Sequence, residues 1–195
     1  MEVISFKGGF DKNFSYLLTD NKECCLLDSC LPAKEIFDYI KKNNLNLKFI
    51  VLLHSHFDHI VDLDKYKKTG IPLYAHESTK IEVDRLLKDK ETISLGNIKI
   101  KVLHTPGHRF DCICLQVKKC LFTSDTLFVN GCGRIDLPGS NPDEMWQTLY
   151  KLTQLPDNLV IYPGHDYGDK ETDTLGNQKK HNKYLVRCLK EVKKI

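Results

Sequence analysis

The apolar run Phe49-Ile50-Val51-Leu52-Leu53 breaks off into His54-Ser55-His56-Phe57-Asp58-His59, which puts three imidazoles and a carboxylate into six residues. An unbroken apolar run of this length reads as a strand buried on both faces. The polar side chains then stand where that strand ends and the backbone turns out into a loop. In extended backbone alternate residues share a face, so His54 and His56 can meet one metal ion together. Asp58 and His59, at the bend, are free to face a neighbouring position. Imidazole mixed with carboxylate is the donor set that borderline divalent metals such as zinc prefer.

The same device recurs three times. Ile98 to Leu103 runs into His104-Thr105-Pro106-Gly107-His108, Cys120 to Ser124 runs into Asp125, and Leu159 to Tyr162 runs into Pro163-Gly164-His165. Proline restricts backbone angles and glycine permits them, so a Pro-Gly pair fixes a tight loop that projects the following histidine. Four strands therefore end in a metal-competent side chain. His104, nearer its strand, reads as structural, and His76 as a surface or capping residue. Asp28 closes the strand Cys24 to Leu27; it is either a turn residue before Pro32 or a carboxylate that orients a ligand imidazole through its free N–H.

The rest of the chain alternates strands with helices. Strands are expected at Glu2–Phe6, Asn13–Leu18, Cys24–Leu27, Ile71–Ala75 and on both sides of the hairpin signal Gly96-Asn97. Helices are expected from Pro32 to Asn43, from about Ile60 to Lys68, from Ser78 to Lys88, and once at the C-terminal end. Tight turns between several strands exclude a purely parallel doubly wound sheet. Two mixed sheets packed face to face with helices outside fit the order, an α/β (α+β) class. No linker or low-complexity stretch divides residues 1–195, so one domain is expected.

Charge and cysteine usage narrow the function classes. A formal net charge of +3 is too slight to argue for nucleic acid. The basic positions Lys179, Lys180, Lys183, Arg187, Lys190, Lys193 and Lys194 read as the solvated face of a helix whose Leu185, Val186 and Leu189 turn to the core. The N-terminus lacks the basic and apolar segments of an export signal, and no apolar run has the length to cross a bilayer. Eight cysteines without a CxxC pair look like reduced thiols, so a cytoplasmic protein is expected.

The set His54-x-His56-x-Asp58-His59, His108, Asp125 and His165 resembles the metallo-β-lactamase superfamily over nearly the whole chain. That resemblance implies a four-layer αβ/βα sandwich with two divalent metal ions, zinc first and iron or manganese as alternatives, at one edge between the sheets. It implies His54, His56 and His108 on the first ion, Asp58, His59 and His165 on the second, and Asp125 bridging. Within the superfamily, Ser124 to Arg134 with its Gly131-Cys132-Gly133-Arg134 turn, and Gly164-His165-Asp166-Tyr167, are similar to glyoxalase II, the hydroxyacylglutathione hydrolases. The implied reaction is thioester hydrolysis by a metal-bridging hydroxide, with Asp58 placed to orient it or take its proton. Arg134 and Tyr167 would contact a small glutathione conjugate. The helical C-terminal domain of glyoxalase II is not expected here. Gly133-Arg134-Ile135-Asp136 is also similar to the persulfide dioxygenases, which implies the alternative of one iron on His54 or His56, His108 and Asp125, acting on glutathione persulfide. A nuclease would be expected to carry a further substrate-gripping domain, a non-catalytic relative to have lost ligands, and a β-lactamase to carry an export signal.

Overall fold

The computed structural model describes residues 1–192, so Lys193 and Lys194 of the basic terminal segment lie outside the described residues. Six strands, β1 (Glu2–Gly8), β2 (Asn13–Asp20), β3 (Glu23–Leu27), β4 (Asn46–Val51), β5 (Leu73–His76) and β6 (Arg85–Leu87), form one sheet in chain order. Its first three strands pair antiparallel, and β3 to β6 run parallel. A second sheet contains β7 (Thr92–Leu95), β8 (Ile98–His104), β9 (Ile113–Val117), β10 (Cys120–Ser124), β13 (Val160–Pro163) and β14 (Asp173–Thr174), in the order β14-β13-β10-β9-β8-β7. There β7 to β10 form an antiparallel meander, while β10 and β13 run parallel. The short pair β11 (Leu127–Phe128) and β12 (Gly131–Cys132) lies beyond β10.

Period-two alternation sorts the strand side chains into layers. Phe14, Tyr16 and Leu18 of β2, Cys25 and Leu27 of β3, Ile100 and Val102 of β8, and Phe122 of β10 fill the space between the sheets. Their neighbours Leu17, Cys24, Leu26 and Ile50 face the other way, against α1 (Ala33–Lys42) and the short α2 (Leu63–Lys67). On the far side, Cys114, Leu121 and Ile161 pack under α3 (Pro142–Thr153) and α5 (Lys183–Val192), with α4 (Leu175–His181) between β14 and α5. Both faces of the central strands are thus buried, which is why they read as continuous apolar runs. Helix α3 starts where Asn141 caps the Asp143 and Glu144 N–H groups ahead of Pro142. The result is helices, sheet, sheet, helices: the expected αβ/βα sandwich of two mixed sheets. None of the helices among the described residues is long and apolar enough to cross a membrane.

Three expected helices are corrected. The single C-terminal helix is split at Asn182 into α4 and α5, and Lys179, expected on a solvated face, is tucked against the Leu155 carbonyl and Asp157. Residues from Ser78 onward do not form a helix; the chain turns, and Arg85–Leu87 becomes β6, pairing Ala75 with Leu86 and His76 with Leu87. Side-chain bonds from the Ser78 N–H to His76 Nδ1 and from the Ile81 N–H to Thr79 Oγ1 hold the turn, and Asp84 accepts the Leu73 N–H. An open parallel edge on β5 outweighs the amphipathic pattern of that stretch. The helix expected from Ile60 shrinks to Leu63–Lys67, because Ser29 ties down the preceding backbone. The Ser29 N–H donates to the His59 carbonyl, and the Val61 N–H to that of Ser29.

Candidate metal centre

The parallel pairing of β10 with β13, and of β3 with β4, brings their C-terminal ends to one edge of the sandwich. There the Phe14 N–H donates to the Gly164 carbonyl and the Ile113 N–H to that of Leu53, which stitches the two sheets together. Every side chain expected at a metal converges on this edge. His54, His56, His108 and Asp125 form one group and Asp58, His59 and His165 another, each with its donor atoms within 4.8 Å of one another. Asp125 reaches both: its oxygens lie 3.5 Å from His108 Nε2, 3.3 Å from His59 Nε2 and 3.2 Å from His165 Nε2.

The outer nitrogens of these rings are committed elsewhere, which fixes the tautomers. His59 Nδ1 donates to Asp28 Oδ2 at 2.9 Å, His108 Nδ1 to the Arg134 carbonyl at 2.8 Å, and His165 Nδ1 to the Asp11 carbonyl at 2.9 Å. Ser124 Oγ donates to Asp28 Oδ2 and so accepts from His54 Nδ1 at 3.2 Å. In its neutral form each of these four rings therefore turns Nε2 inward as an acceptor. His54 Nε2 and Asp125 Oδ1 are buried with no hydrogen-bond partner. In the neutral rings His59 Nε2 and His165 Nε2 are both acceptors that face each other at 3.3 Å, with the Asn13 amide also 3.3 Å from His59 Nε2. Lone pairs at that distance repel unless a proton or a metal cation is shared between them. An unpartnered buried acceptor and opposed lone pairs are what a metal ion would satisfy, so the residues present fit the group.

Asp28 does both jobs left open for it. It turns the chain with a positive φ of 55° and accepts the Leu53 N–H at 2.6 Å, and it also orients His59. His76 is buried rather than on the surface, and it takes the capping half of its expected role by accepting the Ser78 N–H. It stacks flat on His104, ring centroids 3.7 Å apart, away from the centre. Asn13 was not visible as a site residue; its amide donates to Asp58 Oδ2 at 2.9 Å from 45 positions away. A lone asparagine at a strand start carries no signal of this.

Electrostatics divide the two groups. Burial and then His59 hold His54 well below its ordinary value, and burial, His108 and Arg109 push His56 down to about 4. Burial also opposes charge on His59, yet Cys30 and the carboxylates of Asp125 and Asp28 hold it well above its ordinary value. His165 is likewise raised, against burial, by its contact with Asp125. Asp125, despite burial, is held well below the usual carboxylate range by His59 and His165.

The centre opens into a cavity of about 490 Å³. Phe10 and Phe57 stand on its rim, 63% and 69% exposed, edge to face at 5.4 Å. Of the expected substrate contacts, Tyr167 stacks on His165 at 4.7 Å and donates its hydroxyl to Asp11 at 2.5 Å. Arg134 lines the cavity too, but its Nε and Nη2 both donate to Asp136 at 2.9 Å.

Fold and site define an αβ/βα sandwich whose edge carries a histidine–aspartate cluster able to bind metal ions. The chain belongs to the metallo-beta-lactamase superfamily, whose family model matches residues 8–165. It is 34% identical over 164 residues to a hydroxyacylglutathione hydrolase of Francisella tularensis subsp. novicida, which is 80% of this chain and 64% of that protein. The chain thus spans a little under two thirds of that curated relative. Over 192 residues, 92% of this chain and 84% of the relative, it is 28% identical to the probable polyketide biosynthesis zinc-dependent hydrolase PksB of Bacillus subtilis. Among solved structures, ETHE1 from Myxococcus xanthus superposes with a TM-score of 0.88 at 23% identity, covering 98% of this chain and 91% of that one, and so shares the fold.

Proposed function

We propose that the protein is a metal-dependent hydrolase of small thioesters, of which a hydroxyacylglutathione is the first to try. The observation that carries this reading is the pair of inward-facing donor groups joined through Asp125. His54, His56 and His108 would hold one divalent ion and Asp58, His59 and His165 the other, with Asp125 shared. Zinc suits the donor set, and iron or manganese are the alternatives. When bound, such ions act as Lewis acids that polarise a carbonyl and bring the pKa of water from about 15.7 towards roughly 7.

The chain's own residues supply the rest. Asn13 holds Asp58 Oδ2, which leaves Oδ1 to accept a proton from the attacking water. The rim rings Phe10 and Phe57 cover the acyl–sulfur bond with apolar surface and limit bulk water beside it. A thiol with an ordinary pKa of about 8.5 departs as thiolate, so no general acid is required. All eight cysteines are unbridged, which supports a reducing, cytoplasmic setting.

The test is metal content of protein purified without added metal or chelator, followed by turnover of S-lactoylglutathione and simpler thioesters. About two ions per chain with thioester cleavage is the expected result. One iron per chain, no thioester cleavage, and oxygen uptake with glutathione persulfide would replace it with the dioxygenase reading.

Acid should strip the two positions in a fixed order. A ring that keeps its proton to higher pH competes with a metal to higher pH. His59 and His165 are raised, whereas His54 and His56 are lowered. As pH falls, the ion on Asp58, His59 and His165 is expected to leave first. Dialysis at stepped pH, with metal counted at each step, should show a plateau near one ion per chain. A direct fall from two to none would contradict the assignment.

A further inference from the structure

We propose that Arg109, the residue after His108, is the anion anchor of this cavity and selects substrates that carry a carboxylate. This rests on the thioester-hydrolase reading and names the substrate class within it. Arg109 lines the cavity beside His56 and His108, and its side chain is only 22% exposed. Its inner edge is fixed three ways. Nε donates to Ser55 Oγ at 2.7 Å and lies 3.4 Å from Asp111 Oδ1, while the guanidinium sits 5.0 Å from the Phe110 ring centroid. Asp111 is itself buried and neither of its oxygens has a hydrogen bond, so among the described residues the guanidinium is its one ion-pair partner. Among the described residues, no protein acceptor hydrogen-bonds Nη1 or Nη2. A guanidinium clamped at Nε with both terminal nitrogens unused is a preorganised fork for a carboxylate.

The contrast with Arg134 makes the assignment specific. Arg134 is 66% exposed and already spends its fork on Asp136. It would have to break that pair to hold a substrate. The opposite side of the cavity offers Asp11, bound to Tyr167, which repels an anion. The cavity is therefore polarised: cationic beside His56 and His108, acidic beside His165, aromatic at the rim. A substrate carboxylate belongs on the Arg109 side, whether it is borne by the acyl group or by the thiol.

Matched pairs test this on the metal-loaded protein. One pair of thioesters, and of non-hydrolysable thioether analogues, differs by carboxylate against primary amide on the acyl side. A second pair differs in the same way on the thiol side. kcat/KM for the thioesters and calorimetric binding of the thioethers are read for the wild type, Arg109→Met and Arg109→Lys. The wild type is expected to favour the carboxylate by roughly 10- to 100-fold in one pair, and the responsive pair identifies which side bears it. Arg109→Met should bring that ratio near one through KM and the binding constant, and Arg109→Lys should restore part of it. No preference in the wild type on either side would overturn the proposal whether or not the variants fold. So would a preference that survives in Arg109→Met, or an equal fall in kcat for both members of each pair. If thioesters are not cleaved while the thioethers still discriminate, the hydrolase reading fails and the anchor stands.

Discussion

Asp125→Ala is expected to leave the fold intact, to lower metal content from about two ions per chain to one at most, and to cut turnover at least about a thousandfold. Asp125 reaches both donor groups, with oxygens 3.2 to 3.5 Å from the inward Nε2 atoms of His165, His59 and His108. Removing it leaves His59 Nε2 and His165 Nε2 opposed at 3.3 Å without the negative charge that lets a cation sit among neutral imidazoles. The cost falls on metal affinity and on the chemistry together, because the lost charge would also hold the two ions at one spacing. Asp125→Asn keeps the shape without the charge and should behave nearly as badly, which separates charge from packing. Circular dichroism checks the fold, metal analysis the stoichiometry, and thioester turnover the activity. Two ions per chain and full turnover in Asp125→Ala would refute the bridged arrangement.

The candidate ligands were legible because each follows a strand buried on both faces. Such a strand cannot tolerate an unpaired polar side chain, so the first histidine or aspartate marks where it surfaces. What was not legible lies far apart in sequence. Asn13 and Asp11 meet the centre only because β2 starts beside the end of β13, where Asn13 bridges to His165. The segment after Ser78 carries an amphipathic pattern with no sign that β5 needs a parallel neighbour. Resemblance pointed to Arg134 as the substrate cation. It could not say that Asp136, two residues on, already occupies that fork, or that Arg109 is held with its fork empty. Motif position identifies residue types; only the packed structure tells which of them have donors left to give.

The two Pro-Gly-His turns look alike in sequence, yet they need glycine for different reasons, and this yields the second large effect. Gly107 has a φ of +138°, where an L side chain is strained, and a Cβ there would also meet the Met145 backbone at 2.3 Å. Gly164 is not among the positive-φ residues, so its constraint is purely one of space. A Cβ on Gly164 would stand 2.2 Å from Asp125 Oδ1 and 3.0 Å from both His59 Cε1 and the Ser124 carbonyl carbon. Asp125 cannot move aside without leaving the histidines it joins, and His59 is held from behind by Asp28. Gly164→Ala is therefore expected to misplace the shared carboxylate, with metal affinity and turnover each falling by about a hundredfold or more, while overpacking costs about 1–3 kcal/mol of stability. Gly70→Ala is the control: its φ is +73°, but nothing lies within 4 Å of the added carbon. It should cost about 1–2 kcal/mol in backbone strain and leave metal content and turnover as they were. Thermal unfolding and metal titration of the two variants side by side separate the causes. Equal loss of stability with loss of metal confined to Gly164→Ala is the outcome that steric crowding at the centre requires, and normal metal binding by Gly164→Ala would show that the edge of the sandwich yields more readily than its packing implies.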